Sequence, residues 1–148
     1  MCTRQICVCY LYNMKKAWSI LSVVCLIMAC NHANKEIKEH ITNSDSLAIN
    51  YFKGDGSMDT VVTIKIIRDK KIISQLAAFI GGQSVKGNSK CGYDGSLHFF
   101  KMNRIIQDID FQMNDANCLQ FSFLQDGKIA YTDLSQDAKR LLETLRKQ

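Results

Sequence analysis

Residues 60–82 read TVVTIKIIRDKKIISQLAAFIGG, and within this stretch the spacing of the apolar residues changes from every second position to a helical repeat. Val62, Ile64 and Ile66 fall on one side of an extended chain, with Thr63 and Lys65 on the other. That alternation is the mark of a strand with two unlike faces. Asp69 then stands where its carboxylate can cap a helix. Ile72, Ile73, Leu76, Ala77 and Ile80 follow as an apolar stripe, which Gly81-Gly82 terminates. A strand passing directly into a one-sided helix needs a sheet for both to pack against.

The flanking sequence supplies that sheet. Leu47–Phe52 reads as a strand ending at the turn Gly54-Asp55-Gly56. After a polar loop over 83–90, Ser96–Lys101 and Arg104–Met113 are strand-like runs joined through Met102-Asn103. Ile109, Phe111 and Met113 share one face of the second run, opposite Asp108, Asp110 and Gln112. Cys118–Leu124 gathers Leu119, Phe121 and Phe123, and reaches Lys128–Thr132 through Asp126-Gly127, a strong hairpin signal. Leu134, Ala138, Leu141, Leu142 and Leu145 close the chain at helical spacing, with Asp133 or Ser135 as cap. The predicted order is β-β-α-β-β-β-β-α. Hairpin-linked strands imply one antiparallel sheet, and two amphipathic helices imply that one of its faces is covered. The fold class is α+β.

Upstream of this body, Met14-Lys15-Lys16 precedes the uncharged run Ala17–Ala29, AWSILSVVCLIMA. Its 13 residues fall short of the about 20 that a spanning helix needs. A basic start, an apolar run of that length and a small residue before the break describe a secretory signal. Ile27-Met28-Ala29-Cys30 resembles the lipobox of bacterial lipoproteins, and the chain turns polar at once with NHANKEIKEH. The resemblance implies cleavage between Ala29 and Cys30, with Cys30 acylated and holding the protein to a membrane. It also implies a bacterial envelope location, on the periplasmic face or cell surface, with the outer membrane as the expected site. The strand, Asp-capped helix, hairpins and final helix resemble in outline small bacterial lipoprotein domains of unassigned function, a likeness that brings no catalytic motif with it.

The implied organisation is an upstream extension at 1–13, with Met14 as the translation start, then a signal peptide at 14–29. A lipidated polar tether follows at 30–46 and a globular domain at 47–148. The sixteen flexible residues 31–46 reach about 20–25 Å, and a short helix through Ile37 and Ile41 is the alternative on docking. Arg4, Lys15 and Lys16 precede the cut, so a formal charge of +5 falls to 16 basic against 14 acidic residues. Neither that balance nor any basic stripe with interleaved aromatics points to nucleic acid.

Of seven cysteines, Cys91 and Cys118 alone remain once the leader and Cys30 are set aside. In an oxidising compartment they are expected to form one disulfide. The rival, a metal site in which His98 joins two thiolates, lacks any CxxC or HxxxH spacing. No metal or cofactor is therefore expected.

The candidate site residues divide into two groups. Cys91-Gly92-Tyr93-Asp94-Gly95 is a tight segment in which a pinned loop would present Tyr93 and Asp94 for recognition, with Asp55 and Asp59 of the turn GDGSMD beside it. An EF-hand calcium loop is excluded there, since Ser57 and Ile66 stand where acidic ligands are required. Asp108 and Asp110 project from one strand face about 7 Å apart, and with His98 they are the residues a small enzyme or metal protein would use. No Ser/His/Asp signature, phosphate loop or HExxH accompanies them. The sequence thus reads as a non-enzymatic, lipid-anchored envelope module that binds a protein or glycan, one version being an inhibitor of an envelope or secreted hydrolase. The alternatives are the small catalyst and a structural envelope component.

Overall fold

The computed structural model describes residues 32–53 and 60–148. Its elements in chain order are α1 (His32–Thr42), β1 (Ser46–Phe52), β2 (Val61–Ile67), α2 (Lys70–Ile80), β3 (Gly95–Lys101), β4 (Arg104–Gln112), β5 (Gln120–Gln125), β6 (Lys128–Asp133) and α3 (Gln136–Lys147). The strands form one six-stranded sheet in the order β2-β1-β3-β4-β5-β6, and every neighbouring pair is antiparallel. The α+β class and the single sheet follow the sequence reading.

Local chemistry sets the boundaries. Asp69 caps α2 by accepting from the Lys71 amide, and Gly81 closes the helix by donating to the Ala77 carbonyl. Ser135, the second of the two expected caps, accepts from the Ala138 amide at the start of α3. Met102-Asn103 and Asp126-Gly127 all have positive φ, the geometry of two-residue hairpin turns whose twist matches that of the strands they join. Asp45 holds the first of these turns by accepting from the Met102 amide at 2.8 Å.

One core lies between the sheet and the helices. Leu47, Ile49, Tyr51, Leu97, Phe99, Ile109, Phe111, Phe121 and Phe123 supply the sheet side. Ile73, Leu76 and Ile80 of α2 and Ala138, Leu142 and Leu145 of α3 supply the helical side. Gly95 is required in β3, because a Cβ there would overlap the Asn50 carbonyl and the Phe111 ring.

The tether expectation gives way to its helical alternative, and the two faces of β2 acquire a direction. The segment read as a polar tether to residue 46 forms helix α1 over His32–Thr42, and its Ile37 and Ile41 are buried in the same core. His40, exposed on α1, donates from Nε2 to the Ile106 carbonyl at 3.1 Å. Docking of two isoleucines one turn apart stabilises a helix too short to persist alone. In β2 the alternation is right, but the isoleucines face away from the helices. Leu47, Ile49 and Tyr51 pair with Ile67, Lys65 and Thr63, so these are the inward side chains of β2. Ile64 and Ile66 remain 61% and 57% exposed on the opposite face.

Candidate functional site

The face of the sheet without helices carries the chemistry. Directly opposed residues of antiparallel strands share a face. Ala48 faces His98, which faces Asp108, and Asn50 faces Ser96, which faces Asp110, itself opposite Ser122. This row depends on an irregularity. Phe100 pairs with Ile105 but Phe99 pairs with Gln107, so Ile106 is one extra residue in β4. An uninterrupted ladder from the Met102-Asn103 turn would set His98 against Gln107. The bulge moves it one residue on, against Asp108.

His98 is consequently held at both ring nitrogens. Its Nδ1 lies 2.6 Å from Asp108 Oδ1, while Nε2 lies 2.9 Å from Ser96 Oγ and 3.0 Å from Asn50 Nδ2. With the proton on Nδ1 donated to the carboxylate, Nε2 accepts from the hydroxyl and the amide. Ser96, His98 and Asp108 thus share the connectivity of an acyl-transfer relay. The serine, however, is 6% exposed, and His98 Nε2 is shared with the Asn50 amide. A carbonyl substrate would have to reach a hydroxyl buried within the sheet face. The arrangement fixes the imidazole and holds one oxygen of Asp108, leaving that carboxylate 64% exposed in a set orientation.

Asp110 stands beside this network without a hydrogen-bonding partner among the described residues. Burial raises its pKa above the ordinary carboxylate value; the His98 ring opposes the shift and the Asp108 charge adds to it. Asp108 and Asp110, with Tyr93, Ser122, Leu124 and Ile129, line a depression of about 220 Å³. The Ser122 hydroxyl is buried there with no hydrogen-bond partner among the described residues. Among the described residues, no three His, Cys, Asp or Glu side chains gather in a way that could hold a metal ion.

The loop after α2 borders this depression. Asp133 donates its amide to the Gln83 carbonyl and Val85 donates to the Tyr131 carbonyl, so the loop follows the outer edge of β6. Gly87 then lies on the Tyr131 ring, where a Cβ would overlap the aromatic carbons. Gln120 grips Asn88 through both its amide nitrogen and its oxygen, and Gln112 donates to the Cys91 carbonyl at 2.9 Å. Cys91 and Cys118 form the expected disulfide, with Cα atoms 5.7 Å apart.

The candidate recognition residues part company here. Tyr93 reaches the depression. Asp94 does not present itself: it is 5% exposed, and its Oδ2 accepts from the Met113 and Asn114 amides at 2.7 and 2.8 Å. Its charge is used to close the end of β4. Asp55, Asp59, Ala29 and Cys30 lie outside the described residues. The structure brings His98 to Asp108 and sets Asp110 beside them, as the catalytic alternative required, and adds Ser96, Asn50 and Ser122. Ser96 and Ser122 are readable from strand alternation once the register is known; Asn50 comes from a strand whose partner is distant in sequence.

The site is therefore a polar network on the helix-free face of an α+β sheet, one end of which the 83–93 loop covers, with a small acidic depression beside it. No family model and no solved structure matches the chain. Over 83 residues, 56% of this chain, it is 34% identical to the flagellar L-ring protein of Helicobacter pylori strain 26695. The flagellar L-ring protein of strain J99 matches to the same extent. The chain spans 33% of the length of these relatives.

Proposed function

We propose that this protein is a lipid-anchored component of the bacterial envelope that works by binding, presenting the uncovered face of its sheet to another envelope protein. The observation that carries this reading is the composition of that face. Ile64, Ile66, Leu124 and Ile129 are each more than half exposed around an ordered polar network. Large exposed apolar side chains grouped with fixed polar groups are the makings of an interface. The lipobox at residues 27–30 supports the envelope address, as does likeness to a protein of a flagellar ring. The buried position of Ser96 favours binding over acyl transfer. Among the described residues no helix is long and apolar enough to cross a membrane, and attachment is assigned to an acylated Cys30.

Two measurements test the reading. Cys30→Ser is expected to leave the precursor uncleaved and unacylated, seen as a mass change in whole-protein spectrometry; normal acylation of the variant would end the lipoprotein assignment. Photo-crosslinking residues at positions 64, 66 and 129 are expected to trap one envelope protein in cells. Equal trapping from the helical face, at position 143, would remove the sheet face as the contact surface.

A further inference from the structure

The depression on the uncovered face has an asymmetric chemistry. Its polar lining offers acceptors: the carboxylates of Asp108 and Asp110 and the hydroxyls of Ser122 and Tyr93. No lysine or arginine lines it. Two of these groups lack partners among the described residues. Asp110 is half-buried with no hydrogen bond to any described residue, and the Ser122 hydroxyl, on a residue 3% exposed, has none either. A buried hydroxyl without a partner is destabilising, and here it lies directly across the ladder from the Asp110 carboxylate. Both await donors.

The remaining walls specify the rest of the ligand. Leu124 and Ile129 are 62% and 58% exposed, and with the Tyr93 ring they make an apolar rim. A volume of about 220 Å³ lies below the usual range of about 300–1,000 Å³ for drug-sized ligands. It suits one side chain. The group that satisfies all of this has several N–H donors, a positive charge and an aliphatic stem. We propose that this depression receives the ammonium or guanidinium end of a basic side chain from the partner protein. The stem lies along Leu124 and Ile129 and the charged end reaches Asp110, with Ser122 lining the depression beside it, while Asp108, held by His98, closes the outer side. An aromatic wall also suits a cation.

The inference rests on the reading of this face as a contact surface and names the chemistry of what it contacts. The test uses the full chain in detergent, titrated with Nα-acetyl-lysine methylamide and Nα-acetyl-arginine methylamide. Nα-acetyl-norleucine methylamide serves as the uncharged control, and backbone amide shifts of residues 108–110 and 122–124 are the readout. Saturable shifts with a basic probe, absent with norleucine and weakened by salt, are expected. Asp110→Asn should weaken binding about tenfold or more, as loss of one charge-assisted hydrogen bond requires. Ser122→Ala should weaken it by a smaller factor, with the amide spectrum otherwise unchanged. No saturable shift, equal shifts with norleucine, or unchanged binding by a folded Asp110→Asn protein would each overturn the proposal. Should crosslinking still trap a partner in that case, the cation site falls and the binding reading stands.

Discussion

The Tyr51 hydroxyl donates to the Leu142 carbonyl at 2.7 Å, and both groups are buried. This bond ties a central strand to the last helix, and the Tyr51 ring is further held edge-on to Phe111 at 5.8 Å and beneath the Arg146 guanidinium at 5.5 Å. Burial raises the phenol pKa well above its ordinary value, so the hydroxyl remains a donor throughout the neutral range. Tyr51→Phe keeps the ring and removes the bond. It should cost about 1–2 kcal/mol, read as a lower urea midpoint with an unchanged slope.

Docking of α1 makes a second prediction. Ile41 is fully buried, so Ile41→Ala should destabilise the domain by about 2–5 kcal/mol. If residues 32–42 were a solvated tether, the substitution would leave the denaturation curve where it was.

The Cys91–Cys118 bond closes a loop that includes the whole β3–β4 hairpin. Reduction, or the paired change to serine, should lower stability by roughly 3–4 kcal/mol in the chain-entropy account. Urea titration with and without reductant measures it; the serine double variant should be insensitive to reductant.

Asp94 offers a clean separation of structural from recognition roles. Asp94→Ala deprives two backbone amides of their acceptor and should cost about 2–4 kcal/mol. Tyr93→Ala, by contrast, alters the depression and should leave stability nearly unchanged while weakening capture of a basic probe. A stability cost for Tyr93→Ala as large as that for Asp94→Ala would reverse these assignments.

Asp110 links the site to pH. Because its folded pKa is raised by burial, its contribution favours the native state below the unfolded carboxyl pKa and is lost as pH rises through the raised value. Asp110→Asn should therefore stabilise the protein near neutral pH more than at about pH 4. Urea midpoints of the two proteins at both conditions check the sign; a variant less stable than the parent at neutral pH would mean that the carboxylate is paired.

Most of the body could be read directly from residues because its signals are local. Asp69, Ser135, Gly81 and Asp126-Gly127 act on the next few residues, and the alternation of Ile109, Phe111 and Met113 belongs to one strand. What could not be read depends on contacts distant in sequence. HANKEIKEHIT has too few apolar residues to be a helix by itself; the core decides it. The alternation in β2 gave the period but not the sign, since Ile64 and Ile66 lie on the uncovered face. Asp108 and Asp110 were visible as a pair, but their meeting with His98 required the bulge at Ile106. That extra residue has no mark in the sequence, and its carbonyl is the one His40 takes up.

The strand order bears on how the chain is made. β1 sits between β2, its neighbour in sequence, and β3, from which it is separated by α2 and the long loop. A chain emerging from its N-terminus can pair β1 with β2 at once, and later build β3 through β6 hairpin by hairpin. The seam between β1 and β3 cannot close before β3 is made, and Tyr51 of β1 is tied in turn to α3. Until that happens each half exposes a raw sheet edge. Of the five strand pairings, β1 with β3 is the one that does not join neighbours in the chain, so the integrity of the whole sheet depends on that single long-range closure.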